Sequence, residues 1–86
     1  MAEEKLIGKV THFFSKISVA VLNLSEDNLK VGEKIHFKGG DRDFEQTVTS
    51  MQVEHEDIAE AKKGDDVGLK TDAPVREDDQ VFKVIE

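Results

Sequence analysis

Residues 44–53 of this chain read Phe44-Glu45-Gln46-Thr47-Val48-Thr49-Ser50-Met51-Gln52-Val53. In a β-strand, side chains alternate between two faces, so residues two apart lie on the same face. Phe44 and Val48 share one phase, whereas Met51 and Val53 share the opposite phase. A slip of one residue at Thr49-Ser50 would return both pairs to the core, which is the effect of a β-bulge. Bulges bend strands where barrels close, so this segment predicts a curved sheet.

Five further segments outside this region have the composition of strands. Short runs rich in Val, Ile, Phe and Thr alternate with turn-forming Gly, Asp, Asn and Pro. The predicted strands are Leu6–Phe14, Ile17–Leu24, Glu33–Lys38, Phe44–His55, Val67–Thr71 and Gln80–Ile85. They predict an all-β fold, specifically a small closed six-stranded antiparallel barrel. We expect one domain over residues 1–86, with residues 1–5 flexible and at most one short helical turn near residues 57–62.

The second predicted strand is apolar on both faces. Ile17, Val19 and Val21 share one face, and Ala20 and Leu22 lie on the other. One face belongs in the core. The other is either covered by the N-terminal segment or forms an interface.

Three glycines are placed where the backbone makes special demands. Gly32 and Gly64 precede strands, at positions where a positive φ angle costs little only for glycine. Gly68 lies inside a predicted strand, which suggests a close backbone approach or a corner of a barrel.

The net charge is −7 and is unevenly distributed. Residues 1–40 carry six Lys and five Asp or Glu, whereas residues 41–86 carry six Lys or Arg and fourteen Asp or Glu. Duplex DNA and anionic membranes both require many basic groups, so neither is an expected partner. Cysteine is absent, and no apolar run is long enough to cross a bilayer. We therefore expect a cytoplasmic protein.

The sequence contains no recognised catalytic or cofactor motif. Neither a phosphate-binding loop of the Walker type nor the serine elbow of hydrolases is present. The histidines, His12, His36 and His55, lie on separate predicted strands, and without cysteine they do not predict a metal site. We therefore expect a protein that is not an enzyme and that needs no metal or cofactor.

Three ordered stretches resemble a known family. They are Leu29-Lys30-Val31-Gly32-Glu33-Lys34-Ile35, Thr47-Val48-Thr49-Ser50-Met51-Gln52 and Ala61-Lys62-Lys63-Gly64-Asp65-Asp66-Val67-Gly68-Leu69. Their order and spacing resemble the second domain of elongation factor Tu, a β-barrel also found in the bacterial initiation factor 2 family. Those factors hold the aminoacyl end of tRNA with a Glu and an Arg, whose positions here are Gln52 and His55. Their nucleotide-binding domain has no counterpart in this sequence, so GTP binding is not expected.

A second resemblance is closer. It involves Ile7-Gly8-Lys9-Val10-Thr11-His12-Phe13-Phe14, Phe44-Glu45-Gln46-Thr47-Val48 and Val75-Arg76-Glu77. These stretches are similar to the C-terminal barrel of collagenase-like peptidase-family proteins. That resemblance implies a domain that accompanies a separate catalytic domain.

Two functional hypotheses follow. The first is a free-standing, non-catalytic module that binds RNA, the ribosome or a protein partner. The alternative is a detached accessory domain that works in trans with a collagenase-like peptidase or an RNA-modifying enzyme. The candidate binding residues are Phe13, Phe14, Lys16, Val19, Val21, Lys38, Gln52 and His55. Strand alternation should point one of Phe13 and Phe14 outward, where its ring could stack on a base beside Lys16; the alternative is that a bulge or bend buries both rings. Val19 and Val21 would form an apolar patch for a protein.

Overall fold

The computed structural model describes residues 3–40, 42–54 and 56–85, and all the regular structure in these ranges is β. The ten strands are β1 Glu3–Phe14, β2 Val19–Asn23, β3 Leu29–Lys30, β4 Lys34–Gly39, β5 Arg42–Thr47, β6 Met51–Val53, β7 Glu56–Ile58, β8 Glu60–Ala61, β9 Asp66–Lys70 and β10 Gln80–Ile85. The predicted all-β class is confirmed. Every predicted strand has a counterpart, and β1 begins at Glu3, inside the segment that was expected to be flexible.

The strands form one large sheet and one small sheet. The large sheet has eight strands in the order β5-β4-β10-β1-β2-β9-β6-β7, and β3 pairs with β8 in the small one. Every pairing is antiparallel. Among the described residues no ladder joins β5 to β7, so the strand pairing does not close the sheet into the six-stranded barrel that the sequence predicted.

The sheet is nevertheless forced to curl. Strand β5 is one edge of the large sheet and β6 lies next to the other edge, yet only residues 48–50 separate them in sequence. Three extended residues span about 10 Å, so the two sides of the sheet must come close together. Backbone hydrogen bonds fix the link, because Gly32 N donates to Val48 O (2.8 Å) and Val48 N donates to Glu33 O (2.9 Å).

The predicted bulge at Thr49-Ser50 is a break between strands instead. Residues 48–50 have no strand assignment, so the long predicted strand is divided into β5 and β6. The predicted consequence is still seen, since Val48 and Met51 are both buried. The chain therefore changes the face that it presents to the core by leaving the ladder at this point.

Bulges occur in β1, where the sequence analysis did not predict them. The register with β10 shifts between Leu6 and Gly8, and the register with β2 shifts between Val10 and His12. At Gly8 an added Cβ atom would lie 1.9 Å from the carbonyl oxygen of Asn23. Gly8 is thus the site of close backbone approach that a bulge in a curved sheet requires.

The core lies on the concave side of the curled sheet. Its fully buried side chains include Phe37, Ile7, Leu22, Leu24, Leu29, Ile35, Val10, Val67 and Val81. The rings of Phe37 and Phe44 are stacked with their centroids 5.1 Å apart. Each such side chain contributes about 1.5–3 kcal/mol through removal from water.

Residues 56–58 and 60–61 are strands with a bend between them, so the helical turn allowed near residues 57–62 is not formed. Gln52 on β6 pairs with Asp57 on β7, and Ala61 on β8 pairs with Leu29 on β3 and is fully buried. Strand pairing and this burial outweigh the helix propensity of a segment of about two turns. Within the part of the chain that the structure describes, no helix has the length and apolar character needed to cross a membrane.

A buried ion pair ties the start of β5 to the start of β10. Arg42 Nε donates to Asp79 Oδ2 and Arg42 Nη2 donates to Asp79 Oδ1, both at 2.6 Å, and Arg76 N donates to Asp79 Oδ2 at 3.0 Å. Asp79 is only 2% exposed. The hydrogen bonds from Arg42 hold the pKa of the Asp79 carboxyl below its ordinary value, against the opposing effect of burial.

We predict that Asp79→Asn lowers the free energy of unfolding by about 2–3 kcal/mol at neutral pH, because Arg42 loses its buried counter-charge. The ionised Asp79 stabilises the fold above the ordinary carboxyl pKa of 3.8. That contribution disappears as the pH falls through the lowered value of the folded state. The difference between the native chain and the variant should therefore shrink in acid. Urea unfolding followed by circular dichroism measures both effects.

The matched control is Asp78→Asn. The neighbouring Asp78 has a side chain that is 87% exposed, and its φ angle of 72° is one that Asn also adopts readily. We expect this variant to change stability by less than about 0.5 kcal/mol. Equal effects of the two substitutions would show that the Arg42 pair does not anchor the fold.

Candidate docking groove

A groove of about 490 Å³ lies on the outer face of the sheet, across β2, β9 and β6. Its lining comprises Phe14, Ile17, Val19, Val21, Gln52, Val53, Glu54, Gly64, Asp65, Asp66 and Gly68. Four of these residues, Phe14, Val19, Val21 and Gln52, are candidate binding residues from the sequence. The structure therefore brings half of the predicted set to one place.

The groove exists because one position in a cross-strand row has no side chain. Val21 on β2 pairs with Gly68 on β9, and Gly68 pairs with Gln52 on β6. Directly opposed residues in antiparallel strands point to the same face. An added Cβ atom at Gly68 would lie 3.7 Å from Val19 Cγ1 and 3.8 Å from Gln52 O, which are ordinary contact distances. Gly68 thus marks an open depression, and of the two alternatives from the sequence the close backbone approach is wrong.

The two apolar faces of β2 have different surroundings. Ala20 and Leu22 are fully buried in the core, whereas Val19 and Val21 are half-buried at the floor of the groove. Ile17, just before the strand, is 59% exposed. The prediction that one face belongs to the core is confirmed, and the other face is open to solvent.

The two adjacent phenylalanines at the end of β1 point in different directions. Phe13 packs against the core, whereas Phe14 is 46% exposed and its ring centroid lies 4.5 Å from that of His12. The two rings therefore alternate, and the alternative in which a bulge or bend buries both is wrong. Lys16 lies in the turn that follows, where Phe13, Phe14 and Ile17 line a second depression of about 320 Å³ with it.

The rim of the groove is acidic at the end where β6 ends and β9 begins. Glu54, Asp65 and Asp66 all line it. Asn23 Nδ2 donates to Asp66 Oδ1 (2.9 Å), and the backbone N of Lys62 donates to Asp65 Oδ2 (2.9 Å). These contacts orient two of the three carboxylates. An apolar floor with an acidic rim suits a ligand that is apolar at its centre and basic at its edge.

Phe13 and Lys16 line the second depression and not the groove, and Lys38 lines neither of them. Lys38 is on β4, separated from β2 by β10 and β1, and its Nζ lies 3.6 Å from Glu4 Oε1 and 5.4 Å from the ring centroid of Phe82. Lys38 and Lys16 therefore do not form one basic surface beside Phe14. His55 lies outside the described residues.

A second cluster of titratable groups surrounds His36 on β4. Nδ1 of His36 contacts Glu4 Oε2, and Nε2 contacts Asp43 Oδ1. Burial lowers the pKa of His36, but the hydrogen bonds to Asp43 and Glu4 outweigh it, so this pKa is raised overall. The hydrogen bond from His36 likewise lowers the pKa of both Glu4 and Asp43. One ligand atom each from Glu4, His36 and Glu45 lie within 4.8 Å of one another, so these residues could hold a metal ion.

The cluster around His36 was not expected from the sequence. Glu4 is 32 positions from His36 and reaches it only because β10 lies between β1 and β4. Glu45, by contrast, is the cross-strand partner of His36 in the β4–β5 hairpin. A register prediction for that hairpin would have placed these two side chains together.

The comparisons with known proteins find similarity to part of one protease and to the fold of one peptidase domain. No model of a known protein family matches the chain. An uncharacterized protease of Methanocaldococcus jannaschii is 44% identical over 77 residues, which are 88% of this chain but only 19% of that protein. The chain therefore spans about a fifth of the length of the curated relative it matches.

Two solved structures have a fold similar to that of this chain. The C-terminal domain of a putative U32 peptidase of Geobacillus thermoleovorans superposes with a TM-score of 0.85 at 17% identity, over 92% of this chain and 91% of that one. Its selenomethionine variant gives 0.84 at 16% identity, over 90% and 96%. The resemblance to collagenase-like peptidase-family proteins is thus supported, whereas that to elongation factor Tu is not confirmed.

We predict that Gly68→Ala and Gly8→Ala have opposite effects on stability. Neither glycine has a positive φ, and the new methyl group at position 68 meets only ordinary contacts. Gly68→Ala should therefore raise the free energy of unfolding by about 0.5–1 kcal/mol through the lower entropy of the unfolded chain. At position 8 the methyl group would collide with the backbone of Asn23, at a cost of about 3 kcal/mol or more.

Urea unfolding followed by circular dichroism measures both variants, and the chain lacks tryptophan that would report by fluorescence. A destabilising effect of Gly68→Ala similar to that of Gly8→Ala would mean that the groove is closed in solution.

Proposed function

We propose that this chain is a non-catalytic accessory domain that docks through the groove onto the catalytic part of a collagenase-like peptidase-family protein. The observation that carries the proposal is the half-buried apolar floor formed by Val19 and Val21 around Gly68. An apolar depression with a polar rim on an outer sheet face is typical of a protein-binding surface.

The relative from M. jannaschii supports the choice of partner. In that protein the matched region is 19% of the length, so it is accompanied by a much larger part of the chain. The C-terminal position of the similar domain in the G. thermoleovorans protein also fits an appended unit. Interfaces between domains within a chain commonly bury surfaces of intermediate polarity, as this groove would provide.

The chemistry of the lining supports a binding role over catalysis. Its described side chains are apolar groups, one amide and three carboxylates, with no hydroxyl, thiol or imidazole among them. Asp65 and Asp66 already accept hydrogen bonds from the chain itself. We therefore assign to this domain the recognition and positioning of a partner, and assign the peptide chemistry to the catalytic part.

RNA is the second candidate ligand, on the basis of Phe14. Its exposed ring adjoins Lys16 in the sequence, and an exposed aromatic beside a basic group can stack on a base with about 1–3 kcal/mol. The acidic rim opposes RNA binding, because Glu54, Asp65 and Asp66 would repel phosphates at that end of the groove. RNA binding would also weaken steeply with salt, whereas docking of an apolar surface would not.

Cross-linking from the groove tests the partner directly. The chain has no cysteine, so Gly68→Cys introduces a single thiol at the floor of the groove. After labelling with a photoreactive group, this variant should cross-link to a chain of peptidase-family sequence in an extract of its own cells, with and without ribonuclease. Val31→Cys, at an exposed apolar residue that does not line the groove, is the control. Equal cross-linking from both positions, or a product destroyed by ribonuclease, would refute the proposal.

We predict that Val21→Glu weakens binding of the identified partner at least about tenfold, because a charge would be desolvated in the interface at a cost of about 1.4 kcal/mol or more. The melting temperature should change by only a few degrees, since Val21 is half-buried and faces outward. Titration calorimetry and thermal unfolding provide the two measurements.

Val31→Glu is the matched control and should leave binding unchanged. If Val21→Glu unfolds the domain, Gly68→Leu provides the second test, because position 68 has space for a Cβ atom. Undiminished binding by a folded Gly68→Leu variant would show that the groove is not the docking surface.

A further inference from the structure

The cluster around His36 lies on a different part of the sheet from the groove. His36 is the central residue of a cross-strand row, with Phe82 of β10 on one side and Glu45 of β5 on the other. The side chain of His36 is only 10% exposed, and its ring centroid is 6.5 Å from that of Phe82. Glu4 and Asp43 flank the imidazole, one at each ring nitrogen.

This arrangement requires a positive charge at the imidazole. A neutral imidazole has one N–H group and one lone pair, so it can donate to only one of two carboxylates. If Nε2 donates to Asp43, the lone pair of Nδ1 faces the carboxylate oxygen Oε2 of Glu4, and the two repel each other. Either a second ring proton, which Nδ1 donates to Glu4, or a metal ion removes this repulsion. A metal ion would displace the Nδ1 proton to solvent and be coordinated by the same nitrogen and carboxylate.

We propose that Glu4, His36 and Glu45 form a binding site for a divalent transition-metal ion, with Zn²⁺ as the best match. One imidazole nitrogen and two carboxylate oxygens, all within 4.8 Å of one another, are the donor types that Zn²⁺ binds at about 2.0–2.2 Å. Imidazole is a poor ligand for Mg²⁺ or Ca²⁺, so the nitrogen selects against these abundant ions.

Asp43 has the role of a positioning residue. By accepting a hydrogen bond from Nε2–H it holds the proton on that nitrogen, so that Nδ1 is the nitrogen that would bind the ion, as carboxylates commonly do for histidine ligands of zinc. The ligands also come from three different strands, β1, β4 and β5, whose pairing through β10 fixes their spacing.

Two lysines fix the orientation of the carboxylates. Lys38 Nζ lies 3.6 Å from Glu4 Oε1, which leaves Oε2 directed at His36. Lys34 Nζ lies 3.9 Å from Glu45 Oε1. The same lysines reduce the negative potential at the site. The affinity for a cation therefore depends on the imidazole nitrogen and not only on the charge of the carboxylates.

Calorimetric titration of the full chain with Zn²⁺ and, separately, with Mg²⁺ tests the proposal. We expect one Zn²⁺ ion to bind with a dissociation constant tighter than roughly 0.1 mM, and Mg²⁺ to bind at least about a hundredfold more weakly. Co²⁺ added in place of Zn²⁺ should give visible absorption bands of a nitrogen- and oxygen-ligated ion.

Variants test whether Zn²⁺ binds at the proposed ligands or at any acidic part of the surface. Glu45→Gln replaces a charged ligand at an exposed position and should weaken Zn²⁺ binding at least about tenfold without unfolding the domain. Asp43→Asn leaves every ligand in place and should weaken Zn²⁺ binding by about 10–100-fold. Glu54→Gln, an exposed acid outside the cluster, should have no effect. The proposal is overturned if Zn²⁺ and Mg²⁺ bind alike, if no binding is detected, or if Glu45→Gln and Glu54→Gln behave identically.

Discussion

The structure depends on one constraint, which is that the sheet has to cover its continuous apolar inner face by itself. The described residues contain no helix to pack on it, and the second sheet consists only of β3 and β8. The large sheet therefore curls around its own side chains, with Phe37 at the centre. The short link at residues 48–50 enforces this curvature, and the bulges in β1 accommodate it. The outer face is consequently free to carry both the groove and the His36 cluster.

Period-two alternation was sufficient to find the long strands, because each has one face in the core. The strands that it missed, β3, β7 and β8, are two or three residues long, and no periodicity can be read from so few positions. The helical turn considered near residues 57–62 was also a local inference, and it failed because Ala61 is buried against Leu29, a contact distant in sequence. The phase change between Val48 and Met51 was correctly located, but whether a bulge or a break produces it depends on which strands pair on each side.

The candidate site could also be predicted from the sequence only in part. A strand that is apolar on both faces indicated that β2 has a second surface to cover, and Val19 and Val21 do line the groove. The contribution of Gly68 could not be read from sequence, since a glycine in a strand is equally compatible with a tight contact and with an open depression. The cross-strand partners of Gly68 are Val21 and Gln52, and they decide between a tight contact and an open depression. Only the register of the paired strands identifies these partners. The His36 cluster was missed for a similar reason, because its ligands converge through the order of β1, β10, β4 and β5.

The pairing of β1 with β10 also determines how this unit would respond to mechanical load. Glu3 is the register partner of Ile85, so the two ends of the described chain leave the sheet side by side. Tension applied at these ends would act on the outermost pair first and then on Glu4 and Val84, so that the hydrogen bonds would break in succession and not together. Each contributes only about 1 kcal/mol, so such peeling would require little force. Under tension applied at these ends, the pairing of β1 with β10 would thus open before the rest of the curled sheet.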